Sequence, residues 1–319
     1  FFKIKMAQGS LRLFFAVVLT AIMISFPKQR ALAFSSNHLL SLKQTPFRAR
    51  NLIRMISSSE VPEETLYLET PLIKSLPMSK VMGLDVWLKL DCLQPSGSFK
   101  DRGMAHLITT LKKRGIKKVI SSSGGNAGHA AARAARLLGL GCEVVVPATT
   151  KALMLDRVRA QGAAVQVHGE NWNAADALAR EKCAADPAAA AYVSPYDDPL
   201  LWEGHATVVA EIAAAGLRPD AIVASVGGGG LLCGIYQGLQ KLGWNDVMVV
   251  ATETQGADSF AASFNAGEMR RLQSIDSIAT SLGALEVTEK ALEYSKSQPT
   301  KSVVVADRAA VAACLALLR

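Results

Sequence analysis

The chain of 319 residues is short of several things, and each shortage closes off a class of protein. Residues 1–59 contain no Asp or Glu, and nine Lys or Arg precede the first acid, Glu60. The whole chain has 35 basic and 27 acidic residues, so residues 60–319 hold 26 and 27 and are close to neutral. The formal charge of +8 therefore belongs to the leader, and no nucleic-acid partner is expected for the rest. The five cysteines (Cys92, Cys142, Cys183, Cys233, Cys314) are odd in number and include no C-x-x-C, so neither a disulfide framework nor a zinc cluster is indicated. Mostly flanked by apolar residues, they read as small core residues of a reducing compartment. No apolar run reaches the roughly 20 residues that a membrane helix needs.

The run that comes nearest, LFFAVVLTAIMISF at 13–26, follows Arg12 and precedes A-L-A at 31–33, the pattern of a cleaved signal peptide. Residues 6–33 read as that signal and 34–59, with Ser and Arg but no acids, as a transit-like segment. Together they resemble the bipartite plastid leader of algae with secondary plastids. Secretion, mitochondrial import from Met55 and a cytoplasmic location are the alternatives. Residues 1–59 are thus expected to carry an address and no part of the core, leaving no stable membrane anchor in the mature form.

Residues 60–319 alternate strand and helix. VWLKLD (86–91), KKVISSS (117–123), CEVVVPA (142–148), AAVQVHG (163–169), AIVASVG (221–227) and VMVVATE (247–253) are the expected strands. Most are β-branched runs bounded by Gly or Pro, as in strands covered on both faces. Alanine-rich helical segments such as NAGHAAARAARLLG stand between them, which predicts an α/β fold with a doubly wound, mainly parallel sheet.

Three stretches carry candidate chemistry. In QPSGSFKDRG (94–103) a lone lysine, Lys100, follows Phe99 where a strand and turn hand over to a helix, the end at which α/β proteins place their sites. In SSSGGNAGH (121–129) a strand ends and a helix begins, so backbone N–H groups converge on a place that suits a carboxylate or phosphate. A plain turn with Ser123 and Asn126 as helix caps is the alternative there. SVGGGGLLCG (225–234) is sharper: four glycines in succession, Gly227, Gly228, Gly229 and Gly230, leave bare backbone able to wrap a phosphate at a helix entry. A dinucleotide site is disfavoured, because the first loop lacks an acid at the next strand end and the second, followed by Glu253, lacks the G-x-G-x-x-G spacing.

A strand-end lysine with one carboxylate seat and one phosphate seat describes a pyridoxal phosphate enzyme. From about Leu68 to Ala313 the sequence resembles the serine/threonine dehydratases, the L-serine dehydratases (L-serine ammonia-lyases) in particular, of the tryptophan-synthase-β type of pyridoxal phosphate enzyme. TPLIKSLPMSKVMG, QPSGSFKDRG, SSSGGNAG, VVVPATT, SPYDDPLLWEGH, SVGGGGLLCG, ETQGADSF and SLGA match in order and spacing. The resemblance implies fold type II in two domains, a small one inserted at about 100–200 and a large cofactor domain from the flanking parts, assembled as a homodimer. It implies L-serine going to pyruvate and ammonia, with L-threonine to 2-oxobutanoate open; threonine dehydratase, serine racemase, threonine synthase or a non-catalytic paralogue are the alternatives.

Carried over residue by residue, Lys100 would hold the cofactor's aldehyde and later act as base. Phe99 would pack on the ring, Asn126 would bond its oxygen, and Gly227, Gly228, Gly229, Gly230 and Leu231 would bind the phosphate. Ser123, Gly124, Gly125, Asn126 and Ala127 would hold the substrate carboxylate. Gly227, Glu253, Ala257 and Leu282 match a monovalent-cation site, and Ser259, where related racemases have an acid, inclines the choice to potassium. Two departures stand out: Asp101 replaces the Ile or Val usual after the lysine, and the chain stops at Arg319 within a helical run. The family's partner to the pyridine nitrogen is expected beyond that point, so the catalytic region reads as C-terminally incomplete.

Overall fold

The computed structural model describes residues 22–26 and 66–317. In chain order its strands are β1 (Ile22–Phe26), β2 (Leu72–Lys74), β3 (Asp85–Lys89), β4 (Lys118–Ser121), β5 (Gly141–Val146), β6 (Ala164–Val167), β7 (Ala190–Tyr192), β8 (Ala221–Ser225), β9 (Met248–Thr254) and β10 (Thr300–Val305). The helices are α1 (Leu76–Met82), α2 (Lys100–Lys113), α3 (Asn126–Leu137), α4 (Ala152–Ala160), α5 (Trp172–Ala185), α6 (Pro199–Ala214), α7 (Gly230–Lys241), α8 (Ser259–Ala266), α9 (Glu289–Ser297) and α10 (Asp307–Leu317). No helix among the described residues is long and apolar enough to cross a membrane.

The strands form two sheets, β6-β5-β4-β7, which is wholly parallel, and β10-β9-β8-β1-β3-β2. In the larger sheet β8, β9 and β10 run parallel, while β1 is antiparallel to both its neighbours and β2 to β3. The α/β architecture is as expected, with an antiparallel flank. All six expected strands appear, but Asp91 opens a 3-10 turn (Asp91–Leu93) instead of ending one. The short β2 and β7 were invisible to periodicity, because three residues cannot establish an alternation.

Strand β1 lies inside the segment expected to be a pure leader. Its backbone pairs Ile22 with Lys89 and Met23 with Val223, which corrects the expectation that residues 1–59 contribute nothing to the folded body. The physical reason is a row of N–H and C=O groups on the facing edges of β3 and β8, which an extended apolar segment can satisfy.

The β-branched runs do what their composition predicts. Val119 and Ile120 of β4, Val144, Val145 and Val146 of β5, and Ile222 and Val223 of β8 are at most 1% exposed. Helix α3 buries seven small residues (Ala127, Gly128, Ala130, Ala131, Ala132, Ala134, Ala135), so it can lie close to both β5 and α2. On α2, Met104, Leu107 and Ile108 are fully buried, each stabilising the fold by about 1.5–3 kcal/mol. Of the cysteines, Cys183 and Cys233 are buried as expected, whereas Cys92 is exposed and Cys142 and Cys314 are intermediate; all five are free.

Helix α6 sits between α2 and α7, and glycines set the spacing. A Cβ on Gly204 would come 2.5 Å from the Arg102 carbonyl and 2.7 Å from the Gly103 Cα. On the other side, one on Gly238 would meet the Val209 side chain at 2.7 Å and the Ala206 carbonyl at 3.0 Å.

Candidate active site

The site grows out of the turn after β3. Gln94 pins this turn by exchanging two hydrogen bonds with the Leu68 backbone, each 2.8 Å, and Gly97 takes a positive φ of 82°. Asp101 is buried; its Oδ2 accepts the Ser96 N–H at 2.7 Å and its Oδ1 lies 3.9 Å from Arg133 on α3. Burial raises the Asp101 pKa, and these two partners oppose the rise. The departure at position 101 thus has a structural account: the carboxylate closes the turn and ties α2 to α3.

Lys100 is the first residue of α2. The same turn is locked by Arg102, which is 0% exposed and makes a bidentate contact with Asp91, Nε to Oδ2 and Nη2 to Oδ1 both at 2.8 Å. Glu211 on α6 accepts from Arg102 and pairs with the buried Lys89. Thr70 donates its hydroxyl to Asp91 at 2.7 Å, and its carbonyl accepts from Lys89 Nζ at 2.5 Å. Burial would lower the Arg102 pKa, but the hydrogen bonds of Asp91 and Glu211 outweigh it and raise it, so the guanidinium stays charged. Two cations and two anions balance, which is the condition for burying them.

Among the described residues the Lys100 amine has no carboxylate partner. It donates to the Pro195 carbonyl at 2.5 Å and stands 5.0 Å from the centre of the Phe99 ring. Burial without a counter-charge lowers its pKa to about 8. A half-buried amine so depressed is a nucleophile and base near neutral pH, which an ordinary surface lysine is not.

The glycine loop 227–230 meets the lysine through residues 194–198, between β7 and α6. Next to Pro195, the Tyr196 ring lies against Gly228, where a Cβ would overlap its Cγ, Cδ1 and Cδ2 atoms. Asp197 accepts the Thr288 hydroxyl at 2.6 Å, and the Thr288 N–H donates to the Gly228 carbonyl at 2.9 Å. Gly229 has φ 89°, open to glycine at little cost, and is the N-cap of α7 with no side-chain capping bond. Gly230 and Leu231 open that helix. Its first N–H groups are therefore available to an anion. The glycines are bare for two reasons, and packing against Tyr196 is the one the sequence did not show.

At the other loop, α3 begins on Gly125 with no side-chain cap, so the alternative with Ser123 and Asn126 as caps is not realised. Residues 123–126 are half-buried and Ala127 is buried. Asp176 on α5 anchors this loop: it accepts from Ser122 Oγ at 2.6 Å, from the Tyr192 hydroxyl, and from Arg180 Nε at 2.8 Å. Burial pushes the Asp176 pKa up, but these three donors prevail and hold it below the ordinary carboxylate value. Because Tyr192 ends β7 just before residues 194–198, Asp176 ties the loop of Ser123 to the segment that touches Lys100. Pro195, Tyr196, Thr288 and Asp176 escaped the sequence reading; only the block SPYDDPLLWEGH hinted at the first two.

The four cation-site positions lie at the ends of β8 and β9. A Cβ on Gly227 would be 3.2 Å from the Leu282 Cα, and the Ala257 N–H donates to the Thr254 carbonyl at 2.9 Å. Glu253 is fully buried and accepts the Phe260 and Ala261 N–H groups of α8 at 2.9 and 2.7 Å; burial still drives its pKa to about 8. The Ser259 hydroxyl beside it is buried with no hydrogen-bond partner among the described residues. No cluster of three or more His, Cys, Asp or Glu suited to a metal occurs among the described residues.

Comparison with known proteins agrees with this chemistry. Residues 64–319 match the family model described as pyridoxal-phosphate dependent enzyme. A human protein named L-serine dehydratase/L-threonine deaminase is 47% identical over 251 residues, spanning 78% of this chain and 76% of its own. The crystal structure of a fungal L-serine ammonia-lyase from Rhizomucor miehei superposes with a TM-score of 0.70 at 36% identity, covering 76% of this chain and 78% of that one. The structure of maize serine racemase gives a TM-score of 0.71 at 25% identity, covering 76% and 73%.

Proposed function

The chain belongs to the pyridoxal-phosphate dependent enzyme family, and on that premise we propose that it deaminates L-serine to pyruvate and ammonia, with L-threonine to 2-oxobutanoate as the companion reaction. The observation that carries this reading is the Lys100 amine, its pKa lowered to about 8, joined through Pro195 and Tyr196 to the glycine entry of α7. The residues present fit the cofactor: an amine nucleophilic near neutral pH, an aromatic ring beside it, and an uncapped helix N-terminus for the phosphate. When bound, pyridoxal phosphate draws electrons from the substrate's Cα and so weakens its Cα–H bond.

The roles then follow for this chain's own groups. Lys100 would hold the cofactor covalently and, once the substrate's amine has displaced it, its freed Nζ would take the α-proton. Phe99 would pack on the cofactor ring, Asn126 would bond its oxygen, and Gly227, Gly228, Gly229, Gly230 and Leu231 would hold the phosphate at the α7 entry. Residues 123–127 bind the substrate carboxylate at the α3 entry. Loss of the α-proton and the Cβ hydroxyl as water leaves an enamine, which hydrolyses to pyruvate and ammonia.

Gly227, Glu253, Ala257 and Leu282 hold a potassium ion in this proposal, supported by a buried carboxyl with a pKa near 8 and the unpartnered Ser259 hydroxyl beside it. Family resemblance supports a homodimer, and the signal-like run and acid-free composition of residues 1–59 support an organellar, plastid-type address for that segment. Similarity to a serine racemase gives one competing reading, separable by its product. Purified full-length protein with pyridoxal phosphate should release pyruvate from L-serine and little D-serine. Lys100→Ala should abolish that release while the fold is kept; D-serine as the main product, or a fully active Lys100→Ala, would overturn the reading.

A further inference from the structure

His205, on α6, has no role in the chemistry described so far. Its side chain is 0% exposed, and neither ring nitrogen has a hydrogen-bond partner among the described residues. The ring meets Phe99 edge to face, with centroids 5.1 Å apart and planes at 67°. On α2, a Cβ at Gly103 would come 2.5 Å from its Cε1 and 2.7 Å from its Nε2; on α7, one at Gly234 would overlap its Cβ. Helices α2 and α7 therefore close on His205, α2 against its ring and α7 against its Cβ, and each makes room for it with glycine.

The charged groups that act on it are Lys100 and Arg102, both cations on α2. Burial first, then these two charges, hold the imidazole well below its ordinary pKa, so the ring stays neutral. A neutral imidazole with two unpartnered nitrogens is a poor way to fill a core. A leucine of similar bulk would fill the same space without leaving polar atoms unpaired. Packing stability does not account for the residue, and a local rule broken beside a reactive group points to function. What His205 offers over an aliphatic side chain is a flat ring with a polarised edge, which orients a neighbouring aromatic ring.

We infer that His205 is a positioning residue for the reaction: its ring fixes the Phe99 ring from behind and, through Phe99, the place of the adjacent Lys100 amine. The inference rests on the reading that Lys100 carries the chemistry, but one of its tests needs no cofactor. In His205→Leu the Phe99 ring loses its edge-to-face partner, loosens, and lets water nearer the amine.

In the full-length holoenzyme, His205→Leu should lower kcat for pyruvate release about tenfold while KM for L-serine moves less than about threefold. In the cofactor-free protein, the pH midpoint for acylation of Lys100, read by peptide mass spectrometry, should rise from near 8 by about one unit toward the value of a solvated lysine. Melting temperature should hold or rise. Combining His205→Leu with Phe99→Leu should add little to the loss caused by either alone, since both act on one contact.

Wild-type kcat together with a wild-type labelling midpoint would overturn the inference, as would fully additive losses with Phe99→Leu. A lowered melting temperature with kinetics unchanged would assign His205 to packing alone and have the same result. Should His205→Leu not fold, His205→Asn takes its place in both measurements, with the same shifts expected and the same wild-type values overturning the inference. If wild-type protein releases no pyruvate, the proposed function fails, and the labelling midpoint still decides what His205 does to Lys100.

Discussion

Gly228 is where the structure changes the meaning of a sequence motif, and Gly228→Ala tests the change. A methyl placed there would lie well inside 3.0 Å of three Tyr196 ring atoms, and these sit at the base of the ring, where a small rotation does not clear the overlap. The ring cannot simply retreat. The Tyr196 carbonyl accepts Trp202 Nε1 at 2.8 Å, the Pro195 carbonyl accepts the Lys100 amine, and Asp197 holds Thr288. Forcing a methyl into such a contact costs about 1–3 kcal/mol. If that cost falls wholly on the cofactor-bound state, apparent affinity for pyridoxal phosphate drops about 5- to 150-fold. Urea unfolding of the cofactor-free protein and an absorbance titration with the cofactor separate the two shares. Adding Tyr196→Ala to Gly228→Ala removes the overlap, so stability should recover. Affinity that stays low in the double variant assigns the remainder to the phosphate seat itself. A Gly228→Ala protein with wild-type unfolding and wild-type titration would refute the placement of Tyr196.

Asp176→Asn should destabilise the fold by about 1–3 kcal/mol at neutral pH by weakening three hydrogen bonds to a buried carboxylate. Because the folded pKa of Asp176 is depressed, its contribution is present above about pH 4 and fades as pH falls through the lower folded value. Urea unfolding of both proteins along a pH series should therefore converge in acid, and a constant difference would contradict the pairing. Glu253 has the opposite sign: its pKa is raised, so stability should decline as pH climbs from about 4.3 to about 8. Potassium should blunt that decline where tetramethylammonium does not, and identical melting curves in the two salts would remove the cation from Glu253. The rate at which cofactor-free protein captures pyridoxal phosphate should rise with pH around a midpoint near 8; a midpoint near 10.4, the ordinary lysine value, would mean the amine is solvated.

The parts of the molecule legible in the sequence were those written in short, strong local patterns. The β-branched runs of β5 and β8 had to be strands, and glycine between a strand and a helix had to leave an uncapped N-terminus. Lys100 was legible because its neighbours in sequence are also its neighbours in space. What escaped depends on contacts between distant residues. Tyr196 against Gly228, Asp176 under Ser122 and His205 behind Phe99 are side chains of ordinary type whose importance comes from what they face. The alternative of Ser123 and Asn126 as caps is not realised, because capping propensity is a local rule and the helix starts on Gly125 instead. Asp101 looked like a departure until Arg133, two turns into another helix, came alongside it.

The glycine spacing around α6 has a consequence for how the protein would look to a saturation mutagenesis screen. Gly204 faces the backbone of Arg102 and Gly103, and Gly238 faces the backbone of Ala206 as well as Val209. A side chain at the end of a flexible stem can yield to a larger neighbour, but a helix backbone cannot, so nearly every substitution at these two positions should score as a loss of function. Gly83 and Gly139, with open space where a Cβ would stand, should instead show the milder cost of a left-handed residue. Such a screen would draw a line of apparent necessity along α6, as severe as the one at Lys100, at positions that need touch neither substrate nor cofactor. Tolerance alone would rank Gly204 with the reactive amine; only separating folded yield from turnover per folded molecule would tell the two kinds of requirement apart.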